Sequence, residues 1–239
     1  MPSLNDPADV AREYSSESGL TARRSLYTDL EGEDVKEVLA RTVEARAPRS
    51  VLEVGPGTGD LAERLMEGGI RGYRAIDISP RMVELARRRG VQAEVGDVQA
   101  LPFADGQFDC VVAAWMLYHV PNLDLGLSEI ERVLMPGGCL IAATNSVKHL
   151  QELWSLVGHE RWDLPFTAEN GREILLRHFA DVSARQVEGW ITLPNQDAVR
   201  TYVTASPTRA HLADRVPHLD QPLRVGARTC IFTALRDGL

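Results

Sequence analysis

One stretch, residues 50–65, constrains the fold more than any other part of the chain. It starts with a short apolar run at residues 51–54, which is typical of a buried β-strand. Three glycines follow at alternate positions, and apolar residues then recur at helical spacing. Glycine adopts positive φ angles and leaves main-chain N–H groups accessible at the positive end of the following helix. The stretch therefore predicts a strand–turn–helix corner that binds a nucleotide-like cofactor, with turn glycines Gly55, Gly57 and Gly59.

An acidic residue inside this strand narrows the choice of cofactor. Glu53 precedes the first glycine by two residues, where its negative charge would repel a phosphate group. S-adenosylmethionine (SAM) suits this position better, because it carries an ammonium and a sulfonium group and no phosphate. A glycine-rich turn alone is a weak signal, because it can also be only a tight connection between a strand and a helix. The acid is the feature that favours a SAM site.

Two further acids end predicted strands near this corner. Asp77 ends the run at residues 72–77, where it is well placed to accept hydrogen bonds from both ribose hydroxyls of SAM or of NAD. Asp97 ends the run at residues 91–97, where its carboxylate and a neighbouring backbone N–H can bind the edge of an adenine ring. The dinucleotide fingerprint requires no such residue, so Asp97 favours SAM over NAD.

A fourth apolar run, residues 108–115, leads to the carboxyl edge of the sheet, where ligands bind in open α/β folds. His119 is the candidate general base, because its unperturbed pKa lies near neutrality. The alternative is a packing and hydrogen-bonding residue beneath the cofactor. Tyr118 and Trp115 are candidates for stacking on a planar acceptor or for cation–π contact with the sulfonium, and core packing is their alternative.

Composition limits the function classes. The 239 residues and 44% hydrophobic content predict one soluble domain, and the absence of a leader or a long apolar run predicts a cytoplasmic protein with no membrane partner. The net charge of −8, without a basic cluster interleaved with aromatics, disfavours nucleic acid. The three cysteines are far apart and lack metal-ligand spacing, so we expect reduced core residues and no metal site.

Five motifs occur in a fixed order along the middle of the chain: residues 52–59, 76–79, 95–98 and 101–103, and residues 117–120 together with 131–138. In this order they resemble the class I SAM-dependent methyltransferases. The similarity is greatest to the small-molecule branch that includes the ubiquinone and menaquinone biosynthesis methyltransferases and bacterial natural-product methyltransferases. The flanking segments match only loosely.

The resemblance implies an α/β, Rossmann-like fold with a seven-stranded, mostly parallel sheet, an antiparallel last strand and helices on both faces. It implies one domain over residues 1–239, with a helical lid at residues 1–46, a SAM-binding core at residues 47–145 and a substrate-side half at residues 146–239. A lid insertion is expected at about residues 195–222. The candidate cofactor contacts are Glu53, Gly55, Gly57, Gly59, Asp77, Ile78, Asp97, Val98, Trp115 and Tyr14.

The expected activity is transfer of the methyl group of SAM to a small-molecule acceptor, a bacterial secondary metabolite or biosynthetic intermediate, leaving S-adenosylhomocysteine. His119 and Tyr118 are the candidate catalytic residues. The alternatives are an NAD-dependent oxidoreductase and a SAM-binding protein without catalysis. The sequence leaves open the acceptor, the attacked atom (O, N or C), and whether the protein is a monomer or a homodimer.

Overall fold

A computed structural model describes residues 26–159 and 164–238. The described chain contains an eight-stranded sheet. Its strands are β1 Glu31–Gly32, β2 Ser50–Val54, β3 Gly72–Asp77, β4 Gln92–Val95, β5 Phe108–Ala114, β6 Leu134–Asn145, β7 Asp181–Leu193 and β8 Leu223–Leu235. The α-helices are α1 Val35–Glu44, α2 Asp60–Glu67, α3 Pro80–Arg88, α4 Leu123–Val133, α5 Gln151–Leu156, α6 Gly171–Leu175 and α7 Gln196–Thr204.

The strands lie in the order β1-β7-β8-β6-β5-β2-β3-β4. Pairing is parallel from β4 through β3, β2 and β5 to β6. Strand β8 runs antiparallel to both of its neighbours, β6 and β7. The mostly parallel sheet with an antiparallel last strand is therefore confirmed.

The expected strand number was wrong by one, because β1 forms an additional edge strand. Glu31 pairs with Trp190, and Gly32 pairs with Gly189, both in antiparallel fashion. A strand of two residues has no period that a sequence pattern can reveal. It pairs because Gly189 allows the chain at Leu30 to approach closely: a Cβ at position 189 would lie 2.8 Å from Leu30 Cδ1.

Helices cover both faces of the sheet, as expected. On one face, α1, α2 and α3 bury a core that includes Leu39, Leu65 and Val83. On the other face, α4 buries Leu127 and Ile130 against the sheet. Central strands covered on both sides are apolar at almost every position, which explains the continuous hydrophobic runs of β2 and β5.

The substrate-side half forms a third, smaller core between α5, α7 and the ends of β7 and β8. Two helices of this half are short: α5 has six residues, and α6 has five. At the start of α5, Leu150 adopts a φ of 53°, a left-handed conformation that interrupts a regular helix.

The expected lid is only partly described. Helix α1 begins at a capping residue, Asp34, whose side chain accepts a hydrogen bond from the Lys36 backbone N–H. Residues 1–25, which include Tyr14, lie outside the described residues. The insertion at about residues 195–222 contains α7 and a 3-10 helix, Ala210–Arg215. The cysteines at positions 110, 139 and 230 are buried and unbridged, as predicted.

Candidate cofactor and acceptor site

A cavity of about 850 Å³ opens at the carboxyl edge of the parallel strands. Its volume lies in the upper part of the range of about 300–1,000 Å³ that is typical of small-molecule sites. Residues from the ends of β2, β3, β4 and β5 line it, together with residues from the N-terminal segment and the substrate-side half. One cavity therefore includes the expected cofactor region and residues of the flanking segments, which match the methyltransferase family only loosely.

The glycine turn exposes main chain to this cavity. Gly55 and Gly57 line it and have φ angles of 70° and 55°. A Cβ at Gly57 would meet no atom within 4 Å, whereas a Cβ at Gly55 would lie 2.9 Å from the Cβ of Met116. Gly59 does not line the cavity. Its φ is 83°, and a Cβ there would lie 3.0 Å from the Cα of Ala86, so Gly59 allows α2 to pack closely on α3.

Glu53 is buried in the cavity wall, with 1% of its surface exposed. The Tyr73 hydroxyl donates a hydrogen bond of 2.9 Å to its Oε2 atom. Burial raises the pKa of Glu53 to about 7, the nearby charges of Asp77 and Asp60 add to this rise, and the Tyr73 hydrogen bond opposes it. A buried acid of this kind gains from a cationic ligand, which would stabilise its charged form.

The two strand-end acids also lie on the cavity. Asp77 Oδ1 accepts a hydrogen bond of 2.8 Å from the Ser79 backbone N–H. Burial raises the pKa of Asp77 to about 6, and hydrogen bonds from the backbone of Ser79 and Gly57 oppose the rise. Asp97 Oδ1 accepts a hydrogen bond of 2.9 Å from the Gln99 backbone N–H. Each carboxylate is thus oriented by a local turn and keeps acceptor capacity for a ligand.

The other candidate residues that the structure describes also line the cavity. Ile78 and Val98 line the cavity beside the two acids, and Ile78 is 59% exposed. His119 and Tyr118 line it from the 3-10 helix Leu117–His119, and their ring centroids are 4.4 Å apart. These positions are compatible with contact to a bound molecule, and they do not separate a chemical role from a packing role.

Trp115 lines the cavity and is hydrogen-bonded to Asn145, a second lining residue. It has a φ of 55°, which is unusual for a large side chain and costs about 1–3 kcal/mol. Two hydrogen bonds hold it: its backbone N–H donates to Ala143 O at 2.8 Å, and its indole Nε1–H donates to Asn145 Oδ1 at 3.0 Å. The surrounding structure thus fixes the indole at the cavity wall.

A second group of lining residues is absent from the candidate site residues of the sequence analysis. They are Asn145, His149, Tyr202, Arg209 and Thr229, with Tyr27 facing them. Asn145 ends β6, so its position at a strand end could have identified it. The other four carry no comparable signal, because they reach the cavity only through the packing of the substrate-side half.

His149 illustrates this packing. Its Nε2 atom lies 2.8 Å from the Tyr27 hydroxyl, and the Arg228 backbone N–H donates to its Nδ1 at 3.0 Å. Burial lowers the pKa of His149 to about 4, and the charges of Arg228 and Arg209 lower it further. His149 is partly buried and lines the cavity, and with this lowered pKa its imidazole is neutral near pH 7.

The cavity fits SAM by three observations. A Cβ at Gly57 would fill otherwise open space, so its main chain is accessible to a ligand. The desolvated carboxyl of Glu53 favours a cationic group, and Asp77 and Asp97 offer oriented carboxylate oxygens at neighbouring strand ends. Among residues 26–159 and 164–238, no cluster of ligating side chains could hold a metal ion, and no helix is long and apolar enough to cross a membrane.

Comparisons with known proteins show which family the chain resembles. A family profile described as a methyltransferase domain matches residues 52–142. The chain is 34% identical over 122 residues to a ubiquinone/menaquinone biosynthesis C-methyltransferase of Nitrobacter hamburgensis, a match that covers 46% of this chain and 48% of that protein. The chain thus spans about half the length of this relative.

A longer match is to a malonyl-[acyl-carrier protein] O-methyltransferase of Halorhodospira halophila, with 30% identity over 215 residues, or 80% of this chain and 68% of that protein. Among solved structures, a Haemonchus contortus phosphoethanolamine N-methyltransferase in complex with S-adenosylhomocysteine superposes with a TM-score of 0.63 at 17% identity. This superposition covers 99% of our chain and 61% of that one, and it supports the fold. By fold, by the SAM-compatible cavity and by these relatives, the chain belongs to the class I SAM-dependent methyltransferases.

Proposed function

We propose that this protein transfers the methyl group of SAM to a small-molecule acceptor, a bacterial secondary metabolite or biosynthetic intermediate. The observation that supports this proposal is the continuity of the cavity. It contains the glycine turn and the strand-end acids, and it extends past Trp115 to the side chains of the substrate-side half. One cavity thus provides both a cofactor site and space for the acceptor.

In the proposed binding mode, Glu53 faces the ammonium group of SAM, and the main chain at Gly55 and Gly57 lies along its methionine part. Asp77, with Ile78 beside it, accepts hydrogen bonds from the ribose hydroxyls. Asp97 and the backbone N–H of Val98 bind the adenine. Gly59 supports the turn through helix packing rather than by contact, since it does not line the cavity.

SAM supplies a methyl group on a sulfonium, which is transferred by in-line displacement with a neutral thioether as the leaving group. The chain therefore has to position the acceptor and exclude water. Positioning of this kind contributes about 7–11 kcal/mol in well-aligned reactions. Trp115 is held at the cavity wall by two hydrogen bonds. His119 and Tyr118 line the same cavity, and His119 is the candidate base for an acceptor that must lose a proton.

A single-turnover experiment tests this proposal. Protein is mixed with methyl-tritiated SAM and with small-molecule fractions of a bacterial extract, and the label is followed into the organic phase. Transfer of label that depends on the protein supports a methyltransferase. Binding of S-adenosylhomocysteine without any transfer across all fractions would instead indicate a SAM-binding protein without catalysis.

A further inference from the structure

The carboxylates that line the cavity come from one part of the described chain. Among the described residues, all four carboxylates that line the cavity lie inside the stretch matched by the methyltransferase domain profile: Glu53, Asp60, Asp77 and Asp97. Outside residues 52–142, the charged residues in the described lining are Lys36 and Arg209. We call the lining contributed by residues outside that stretch the acceptor end; in the part of the chain that the structure describes, it has cationic side chains and no carboxylate.

Asn145 supplies hydrogen-bond donors at this acceptor end. Its Oδ1 atom accepts two hydrogen bonds of 3.0 Å, one from Trp115 Nε1 and one from Thr229 Oγ1. Both partners donate, so the acceptor atom has to be the oxygen, and the orientation of the amide is determined. Asn145 lines the cavity, and these two hydrogen bonds leave its Nδ2 group unused.

The Nδ2 group of Asn145 makes no hydrogen bond to any other residue of the described chain. It carries two N–H donors and no acceptor. The amide cannot rotate to exchange its ends without breaking both hydrogen bonds to Oδ1. Thr229 is buried and lies directly opposite Asn145 in the pairing of β6 with β8, which holds this arrangement in place.

We propose that Asn145 is a specificity-determining residue: its amide N–H groups bind an anionic oxygen of the methyl acceptor. This inference rests on the proposed function. The acceptor is then an aromatic or otherwise planar compound that carries a carboxylate or an ionised hydroxyl. Trp115, Tyr202 and Tyr27 also line the cavity and offer aromatic faces to the planar part. Among residues 26–159 and 164–238, no carboxylate outside residues 52–142 lines the cavity to pair with the cation of an ammonium-bearing acceptor.

His149 is consistent with this assignment. Both of its ring nitrogens are engaged, by Tyr27 and by the Arg228 backbone, so it holds Tyr27 at the cavity rather than acting as a base itself. Its imidazole is neutral near pH 7, because burial lowers its pKa. The neutral imidazole therefore contributes no charge of either sign to the acceptor end.

The test uses two aromatic probes of opposite charge, 4-fluorobenzoate and 4-fluorobenzylamine, added to the protein saturated with S-adenosylhomocysteine and observed by fluorine NMR. We expect the carboxylate probe to bind and the ammonium probe to bind at least about tenfold more weakly. Asn145→Asp keeps an oxygen for Trp115 and Thr229 but replaces the donors by a second, negative oxygen. This variant should lose carboxylate binding by about tenfold or more and reverse the preference of the site.

Two variants serve as controls. Asn195→Asp adds the same charge at a helix cap that does not line the cavity, and it should leave probe binding unchanged. Thr229→Val removes one of the two hydrogen bonds that orient the amide and should weaken carboxylate binding by a few fold, whereas Thr233→Val on the same strand should not. If Asn145→Asp fails to fold, the Thr229 and Thr233 pair still decides the question.

Affinity for S-adenosylhomocysteine is measured for every variant in the same series. Loss of carboxylate binding with unchanged cofactor affinity supports the proposal. Failure of the unmodified protein to bind S-adenosylhomocysteine would contradict the proposed function, which is a separate result. Preference of the unmodified protein for the ammonium probe, no binding of the carboxylate probe, or equal carboxylate binding by Asn145→Asp would overturn the assignment of Asn145.

Discussion

The hydrogen bond from Tyr73 to Glu53 provides a sharp test of the proposed cofactor contact. Tyr73→Phe removes only the hydroxyl and keeps the buried ring, which is 3% exposed. A hydrogen bond to a charged group contributes about 1.5–3 kcal/mol, so its loss should raise the pKa of Glu53 by about one to two, starting from about 7. Near pH 7 the carboxylate would then be mostly protonated.

This change predicts a loss of cofactor affinity with a defined size. If S-adenosylhomocysteine binds the ionised form of Glu53, its apparent affinity scales with the ionised fraction. That fraction falls from about one half to between about one tenth and one hundredth, so affinity at pH 7 should fall about five- to fiftyfold. At pH 8.5 the difference between the two proteins should narrow to less than about fourfold, because Glu53 ionises in both. Titration of the ligand itself affects both proteins equally.

Calorimetry with two ligands separates this mechanism from a general loss of structure. S-adenosylhomocysteine carries the ammonium that Glu53 is proposed to face, whereas 5′-methylthioadenosine has the same nucleoside without the amino-acid part. Tyr73→Phe should weaken the first ligand and leave the second nearly unchanged. An equal loss for both ligands, or a loss that does not diminish at higher pH, would refute the reasoning.

Three further predictions concern the same site. The folded-state pKa of Glu53 is raised from 4.5 to about 7, so ionising this buried acid destabilises the fold increasingly as the pH rises through this window, by up to about 3 kcal/mol. In thermal scans of the cofactor-free protein, Glu53→Gln should therefore raise the melting temperature at pH 8 but not at pH 4.5. Gly57 and Gly90 have φ angles of 55° and 82° and open surroundings, so Gly57→Ala and Gly90→Ala should each lower the free energy of unfolding by about 1 kcal/mol in chemical denaturation. Only Gly57→Ala, in the cavity wall, should also weaken the binding of S-adenosylhomocysteine. Equal affinity of the two variants would contradict the proposed main-chain contact. His119→Ala should lower turnover and leave S-adenosylhomocysteine affinity nearly intact, and unchanged turnover at saturating acceptor would remove His119 from the mechanism.

The cofactor end of the site could be predicted because its signals are local. Gly55 and Gly57 follow an apolar strand directly, and Asp77 and Asp97 end two further strands, so a linear pattern places all four at one sheet edge. Each acid is then oriented by a backbone N–H two residues away, which is again a local feature.

The acceptor end could not be predicted in the same way, because it depends on contacts between distant segments. Trp115 reaches Asn145 across 30 residues, and Thr229 reaches Asn145 across 84 residues. These hydrogen bonds exist only once strand order and register are fixed, since a shift by one residue would turn each side chain to the opposite face. The edge strand β1 was missed for a related reason: with two residues it depends entirely on its partner.

The most direct test of the central claim is a crystal structure of the protein with S-adenosylhomocysteine bound. The account predicts the ribose hydroxyls at Asp77, the adenine at Asp97 and Val98, and the amino group on the side of Glu53, with the sulfur directed toward Trp115 and Asn145. A nucleoside bound away from the two acids, or a sulfur directed away from the acceptor end of the cavity, would contradict it.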